Sequence, residues 1–136
     1  MHDAPENFSE FSAGHRTRTA GNILAHICDL LDWACCMARG TQTWKDVPPR
    51  SWNEDVDRFF AGLKRLDSLL ADDQPLGFEA EKLFQGPIAD ALTHVGQLAI
   101  LRRMASAPVK GENYFKADIA AGRVGPEQSA PRREFD

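Results

Sequence analysis

The chain has 136 residues, 43% of them hydrophobic and 26% charged, which suits one small domain. Its formal net charge is −4 and it holds no basic patch or long apolar run, so neither nucleic acid nor a membrane is an expected partner. Cys28, Cys35 and Cys36 fit no disulfide framework and the first twenty residues hold no secretory signal, so we predict a reduced, cytoplasmic protein.

The first fifteen residues and the helix after them differ sharply in pattern. Residues 1–15 are polar and are predicted to be irregular or disordered. Apolar side chains then recur at three-and-four spacing between Ile23 and Ala34, which predicts a helix over about 16–39. Gly40 is a natural end for this helix. Cys28 and Cys35, which lie on it, are expected to be small core residues.

A second helix follows a proline-punctuated loop. Pro48 and Pro49 mark the loop. Ser51 has the character of an N-cap, and Glu54 stands three residues later, as a capping box requires. Regularly spaced apolar residues carry this helix to about Ala71.

The stretch "GPIADALTHVGQLAILRRM" predicts a third long helix, from about Gly86 to Ser106. Pro87 suits its first turn, and Pro108 ends it. The short amphipathic segment "ENYFKADIAAG" predicts a further short helix that stops at Gly122.

These elements define the fold class. No segment shows sustained alternation with a period of two, so we predict an all-α protein with three long helices and one short C-terminal helix. The helical bundle domain is expected to span 16–123. The tail, 124–136, is rich in proline, glycine and charge, and it is predicted to be extended.

Two polar side chains interrupt the third helix. Asp90 and His94 lie four residues apart, on one stripe of a helix that is apolar over most of its circumference. Burying a carboxylate costs several kcal/mol unless it is paired, so a metal ion or a pairing with a neighbouring side chain should explain it. His26 lies among apolar residues of the first helix and could face the same interior from the opposite wall.

Together these three side chains suggest a metal site. His26, Asp90 and His94 would supply nitrogen and oxygen ligands to a divalent ion such as Zn, Ni, Fe or Mn. Three protein ligands leave an open position, as in catalytic sites. The alternative is a rim pair between Asp90 and His94, with His26 bonded to Asn22 or to a backbone carbonyl.

The same residues carry a resemblance to a known family. "GHRTRTAGNILAHICDLLDW" resembles the second helix of the DinB-like (DinB/YfiT-like) metalloenzymes, whose signature ends in a histidine. "DALTHVGQLAILRR" resembles their fourth helix, where an H-x-x-x-H pair precedes a Gly-Gln-hydrophobic run. The resemblance extends through "ENYFKADIAAGRVGPEQ" and covers roughly residues 12 to 128.

The resemblance implies a four-helix bundle that holds one divalent metal near one end. By position, His26 and His94 match two of the three usual histidine ligands, and Asp90 stands in place of the third. A set of two histidines and one carboxylate favours Fe(II), Mn(II) or Zn. The implied activity is that of a thiol transferase or a hydrolase-like enzyme, in which the metal activates a thiol or water. The thiol cofactor would be a low-molecular-weight compound such as mycothiol or bacillithiol, and the small-molecule substrate is not identified.

Further residues are candidates for the surroundings of the metal. Gln97 lies one turn beyond His94 and could hydrogen-bond to it, although a solvent-facing role fits it equally well. Trp33 could wall the pocket or belong to the core. Asn113 and Tyr114 follow the last long helix and could reach the mouth of the site.

The chain also departs from the family in length. Members begin with a long helix, whereas only fifteen polar residues precede the first helix here, which suggests a truncated or misplaced start. The uncovered apolar groove would favour association, so a homodimer is predicted. A non-catalytic helical dimerisation module without bound metal is therefore the alternative function.

Overall fold

Helix α1, Ala20–Ala38, is enclosed by the rest of the chain over nearly its whole circumference. The computed structural model describes residues 3–135. The Thr19 hydroxyl caps α1 by accepting a hydrogen bond from the Asn22 N–H at 3.2 Å. The helix begins later than predicted because the chain before it is a turn, in which Arg16 has a φ of 69°.

Helix α2, Trp52–Leu70, packs along one side of α1. Its predicted capping box is confirmed, since Ser51 and Glu54 satisfy each other's backbone N–H groups. The two helices approach closely at Gly62, where a Cβ atom would lie only 3.2 Å from the Leu31 side chain. A glycine at this position therefore lets the helices pack tightly.

The third long helical segment begins earlier than the sequence predicts. Helix α3, Ala80–Leu83, runs through a π-helical turn, Phe84–Ile88, into helix α4, Ala89–Met104. The prediction that Pro87 starts this helix is wrong, because Pro87 lies buried inside the π turn. Proline has no N–H to donate and crowds the preceding turn, and a local wider turn accommodates it within a continuous helix.

Helix α4 packs on α1 at a face distinct from the one that α2 covers, and the chain before α1 completes the core. A single 3₁₀ turn, Phe8–Glu10, places the Phe8 ring in edge contact with Trp52, with 5.1 Å between ring centroids. The main core cluster consists of Phe8, Ala20, Ile23, Leu24, Ile27, Leu30, Val56, Ala91, Leu98 and Leu101.

The C-terminal region corrects one prediction. The segment "ENYFKADIAAG" forms turns instead of a short helix, and the only regular structure described beyond α4 is an antiparallel pair of short strands, β1 (Gly111–Glu112) and β2 (Glu134–Phe135). Tyr114, Phe115 and Ile119 are exposed, so the segment has no core face against which a short helix could be stabilised. The all-α class is nevertheless confirmed, because the long elements are all helices.

Burial also accounts for the cysteines. Cys28 and Cys35 are buried core residues, as predicted. Burial raises the pKa of the Cys28 thiol to about 12 and raises the pKa of Cys35 as well, so neither is an activated thiol. Within residues 3–135, no helix is both long and apolar enough to cross a membrane.

We expect Phe8→Ala to lower the free energy of unfolding by about 3 kcal/mol, because the Phe8 side chain is only 3% exposed and fills space beside Trp52. Urea denaturation followed by circular dichroism would measure the change. Phe115→Ala is the matched control: Phe115 is 97% exposed, and its loss should change stability by less than about 0.5 kcal/mol. Equal effects of the two substitutions would contradict this account of the N-terminal segment.

Candidate metal centre

Helices α1 and α4 bring His26, Asp90 and His94 together. The Nε2 atom of His94 lies 3.3 Å from Oδ1 of Asp90, and Nε2 of His26 lies 3.8 Å from Oδ2. The two imidazole rings are nearly perpendicular, with 4.7 Å between their centroids. One ligand atom from each residue lies within 4.8 Å of the other two, so the sequence-predicted residues share one site.

Gln97 determines how His94 faces the carboxylate. The Gln97 side-chain oxygen lies 2.9 Å from Nδ1 of His94, and in the tautomer with its hydrogen on Nδ1 this ring nitrogen donates to that oxygen. In the neutral ring, Nε2 then presents a lone pair toward Asp90 at 3.3 Å. Two acceptors at this distance repel each other unless a cation, either a proton or a metal ion, lies between them.

His26 is held on the opposite wall by aromatic contact and burial. Its ring meets Trp44 edge to face, with 5.6 Å between centroids. Burial lowers the pKa of His26 below its ordinary value, and the nearby His94 and Arg18 lower it further. The expected alternative bond to Asn22 is not formed, because the Asn22 amide donates to the Thr19 hydroxyl instead. A neutral His26 is the form that binds metal.

The donor set and its spacing fit a divalent ion. Ligands at about 2.1 Å from a tetrahedral ion lie roughly 3.4 Å from one another. The nitrogen–oxygen distances, 3.3 Å to Oδ1 and 3.8 Å to Oδ2, are close to that value. All three ligand atoms lie within 4.8 Å of one another, so they would draw closer together around an ion. Two imidazoles and one carboxylate suit Zn, Fe(II), Mn(II) or Ni.

The three side chains open into a cavity of about 600 Å³. The side chains of His26 and His94 are mostly buried, whereas Asp90 is 49% exposed and lies at the solvent side. This volume suits a small-molecule ligand. The residues that line the cavity are Ala13, Thr17, Arg18, Ile23, His26, Asp90, His94, Gln97, Ile100 and Leu101.

The sequence missed two residues of this environment. Arg18 lines the cavity and Trp44 contacts His26, yet both lie on irregular segments whose course no periodic pattern reveals. Trp33 lies behind Trp44, at 5.9 Å between ring centroids, and is not part of the cavity lining. Asn113 and Tyr114 do not line the cavity either, so the expectation that they reach its mouth is not met.

Comparison with known proteins adds no relative. No protein family, no curated protein and no solved structure matches the chain. The resemblance to the DinB-like family therefore stays a prediction from the motifs.

We expect Arg18→Gln to raise the pKa of His26 toward its ordinary value of 6.5, because the positive charge of Arg18 is one of the causes that lower it. The check is an NMR titration of the His26 ring protons in chelator-treated protein. A depressed pKa in the folded state also means that the unfolded chain binds the proton more readily. The stability of the metal-free protein should therefore decline as pH falls below 6.5. A His26 pKa that is unchanged by Arg18→Gln would contradict this electrostatic account.

Proposed function

We propose that the protein is a divalent-metal-dependent enzyme, a thiol transferase or a hydrolase-like enzyme acting on a small molecule. The observation that carries the proposal is the convergence of two imidazole nitrogens on the Asp90 carboxylate: Nε2 of His94 lies 3.3 Å from Oδ1, and Nε2 of His26 lies 3.8 Å from Oδ2. A metal ion between these atoms would use all three side chains.

Each residue has a distinct part in this proposal. His26, Asp90 and His94 hold the ion, and Gln97 fixes the orientation of the His94 ring by accepting its Nδ1–H. When bound, the ion would lower the pKa of a thiol or water at its open position and so supply a nucleophile at neutral pH. The half-exposed side of Asp90 gives that position access to the cavity.

The walls of the cavity favour chemistry in a partly dry site. Ile23, Ile100 and Leu101 line it with apolar surface beside the polar triad. Apolar walls exclude water and strengthen electrostatic interactions at the metal. Cys28 and Cys35 are buried thiols with raised pKa values, and Cys36 lies outside the cavity lining, so a thiol mechanism takes its thiol from a low-molecular-weight cofactor. Such cofactors and the reduced cysteines both fit a cytoplasmic location.

The metal proposal predicts about one equivalent of a divalent transition metal in protein purified without a histidine tag. We expect Asp90→Ala, His94→Ala and His26→Ala each to abolish uptake, because each removes one of three ligands. Gln97→Ala should weaken metal affinity by about tenfold, since it only frees the His94 ring. Mass spectrometry of the metal content and a competition titration with a chelator measure these effects.

His15→Ala is the matched control for the ligand substitutions. His15 is exposed and lies outside the cavity lining, so this variant should keep full metal content. Protein that stays metal-free after addition of Zn, Ni, Fe(II) and Mn(II) would overturn the proposal. So would loss of metal in the His15 variant to the same extent as in the other three.

A second candidate function, a helical dimerisation module, has its own support in the outer face of α4. Leu92 and Val95 are exposed there, to 60% and 39%. Exposed apolar side chains along one face of a helix are typical of an association surface. We therefore propose a homodimer, either as the state of the enzyme or, without metal, as the function itself.

Leu92→Glu tests the homodimer. A charge on the outer face of α4 should shift the protein from dimer to monomer in light scattering coupled to gel filtration, because the carboxylate would be buried unpaired in the interface. Leu70→Glu is the matched control, since Leu70 is 52% exposed at the end of α2. A wild-type protein that is monomeric at tens of micromolar contradicts the dimer and leaves the metal proposal intact.

A further inference from the structure

Arg18 lies where a turn meets the start of α1. The Thr17 N–H and hydroxyl both donate to the Gly14 carbonyl, at 3.3 and 2.8 Å, and the Ala20 N–H donates to the Phe11 carbonyl at 2.8 Å. These bonds fix the backbone on both sides of Arg18, directly before the cap residue of α1. The backbone of Arg18 is thus held in place. Its side chain lines the same cavity as His26, Asp90 and His94, the proposed metal triad.

The side chain of Arg18 is exposed and lines the cavity without an ion pair. Arg58 and Arg65 form ion pairs with carboxylates, whereas no ion pair involves Arg18 in the part of the chain that the structure describes. Arg18 also lines a second cavity of about 410 Å³, which His26 lines as well.

The carboxylates that line that second cavity already accept hydrogen bonds from other residues. Asp29 accepts hydrogen bonds from Arg58 at 2.5 Å and from the Val47 N–H at 3.2 Å. Asp46 accepts one from the Trp44 indole at 3.1 Å. Within the described residues, neither these carboxylates nor Asp90 forms a hydrogen bond or ion pair with Arg18, so its guanidinium donors are available to a ligand in the cavity.

The rest of the lining defines the shape of such a ligand. Ile23, Ile100 and Leu101 are apolar, and among the described lining residues Arg18 is the one cation that is charged at every physiological pH. One guanidinium matches one carboxylate through two parallel hydrogen bonds. A phosphate dianion matches the lining less well, because the described lining offers no second lysine or arginine beside Arg18.

We propose that Arg18 determines substrate specificity by binding a carboxylate, so that the enzyme acts on small organic acids with an apolar body that lies against Ile23, Ile100 and Leu101. The acid extends from Arg18 to the metal triad. The reactive group of the acid then lies at the open coordination position of the metal. This inference rests on the proposed metal-dependent function and names the substrate class for that site.

Two probes that differ only in charge test the inference. Succinic acid monohydroxamate and its methyl ester both bind metal through the hydroxamate, and only the first carries a free carboxylate. Titration calorimetry on zinc-loaded protein should show the acid binding more tightly than the ester. Arg18→Gln should lower the affinity for the acid by about tenfold and change the affinity for the ester by less than about twofold.

Two further variants complete the design. Arg18→Lys keeps the positive charge and should retain part of the preference for the acid, because an ammonium lacks the planar pair of donors. Arg16→Gln is the matched control: Arg16 lies two residues away, outside the cavity lining, and its variant should bind both probes like the wild type.

The outcomes separate the inference from the function on which it rests. A zinc-loaded wild type that binds acid and ester equally, or an Arg18→Gln variant that loses affinity for both alike, overturns the role of Arg18 and leaves the metal site intact. A wild type that takes up no zinc, and binds neither probe, overturns the metal-dependent function and this inference with it.

Discussion

The enclosure of α1 is the constraint on which the rest of the structure depends. Asn22 is exposed and the Asp32 side chain is 43% exposed, but the buried Asp29 and the mostly buried His26 each need a partner inside the protein. Asp29 and Asp32 pair with Arg58 of α2, at 2.5 and 2.7 Å. His26 turns to the other side, toward Asp90 on α4.

The polar groups of α1 are paired differently on the side that faces α2 and on the side that faces α4. On the α2 side the charges are matched, since the buried Asp29 is neutralised by Arg58 and also accepts a backbone N–H. On the α4 side, two imidazoles share a single half-exposed carboxylate, and within residues 3–135 no lysine or arginine pairs with it. The first arrangement neutralises its own charges, whereas in the second a proton or a metal ion would neutralise the carboxylate.

The features that could be predicted from the sequence are those that depend on helical periodicity and on residue spacing. The three long helices, the Ser51 cap and the buried Cys28 followed from patterns within one helix, where side chains three and four apart share a face. The meeting of His26 with Asp90 and His94 was inferred because burial on both helices had to bring their polar residues together. Arg18 was missed because sequence reasoning placed it within the first helix. It lies instead in the irregular segment before the Thr19 cap, and the course of such a segment depends on tertiary contacts.

The π turn shows why the remaining error arose and why it matters for the site. Sequence reasoning placed Pro87 at a helix start, because proline is disfavoured in a helix interior. In the structure the helix continues through Pro87 by widening one turn. A wider turn shifts the angular position of every later residue around the helix axis, so the turn contributes to the direction in which Asp90 and His94 face. Such turns frequently lie next to functional sites, and here the turn ends two residues before Asp90.

The three polar side chains of the triad lie at a helix interface where apolar side chains would stabilise the fold. Ala91, Leu98 and Leu101 of α4 pack on α1, and His94 lies between them along the same interface. An apolar side chain there would extend the core and stabilise the helix pair without any partner. Two imidazoles and a carboxylate instead replace apolar contact with polar groups that must be satisfied. Local departures from the rules of stable packing are expected where residues serve a function, which is the physical reason to place the candidate site between α1 and α4.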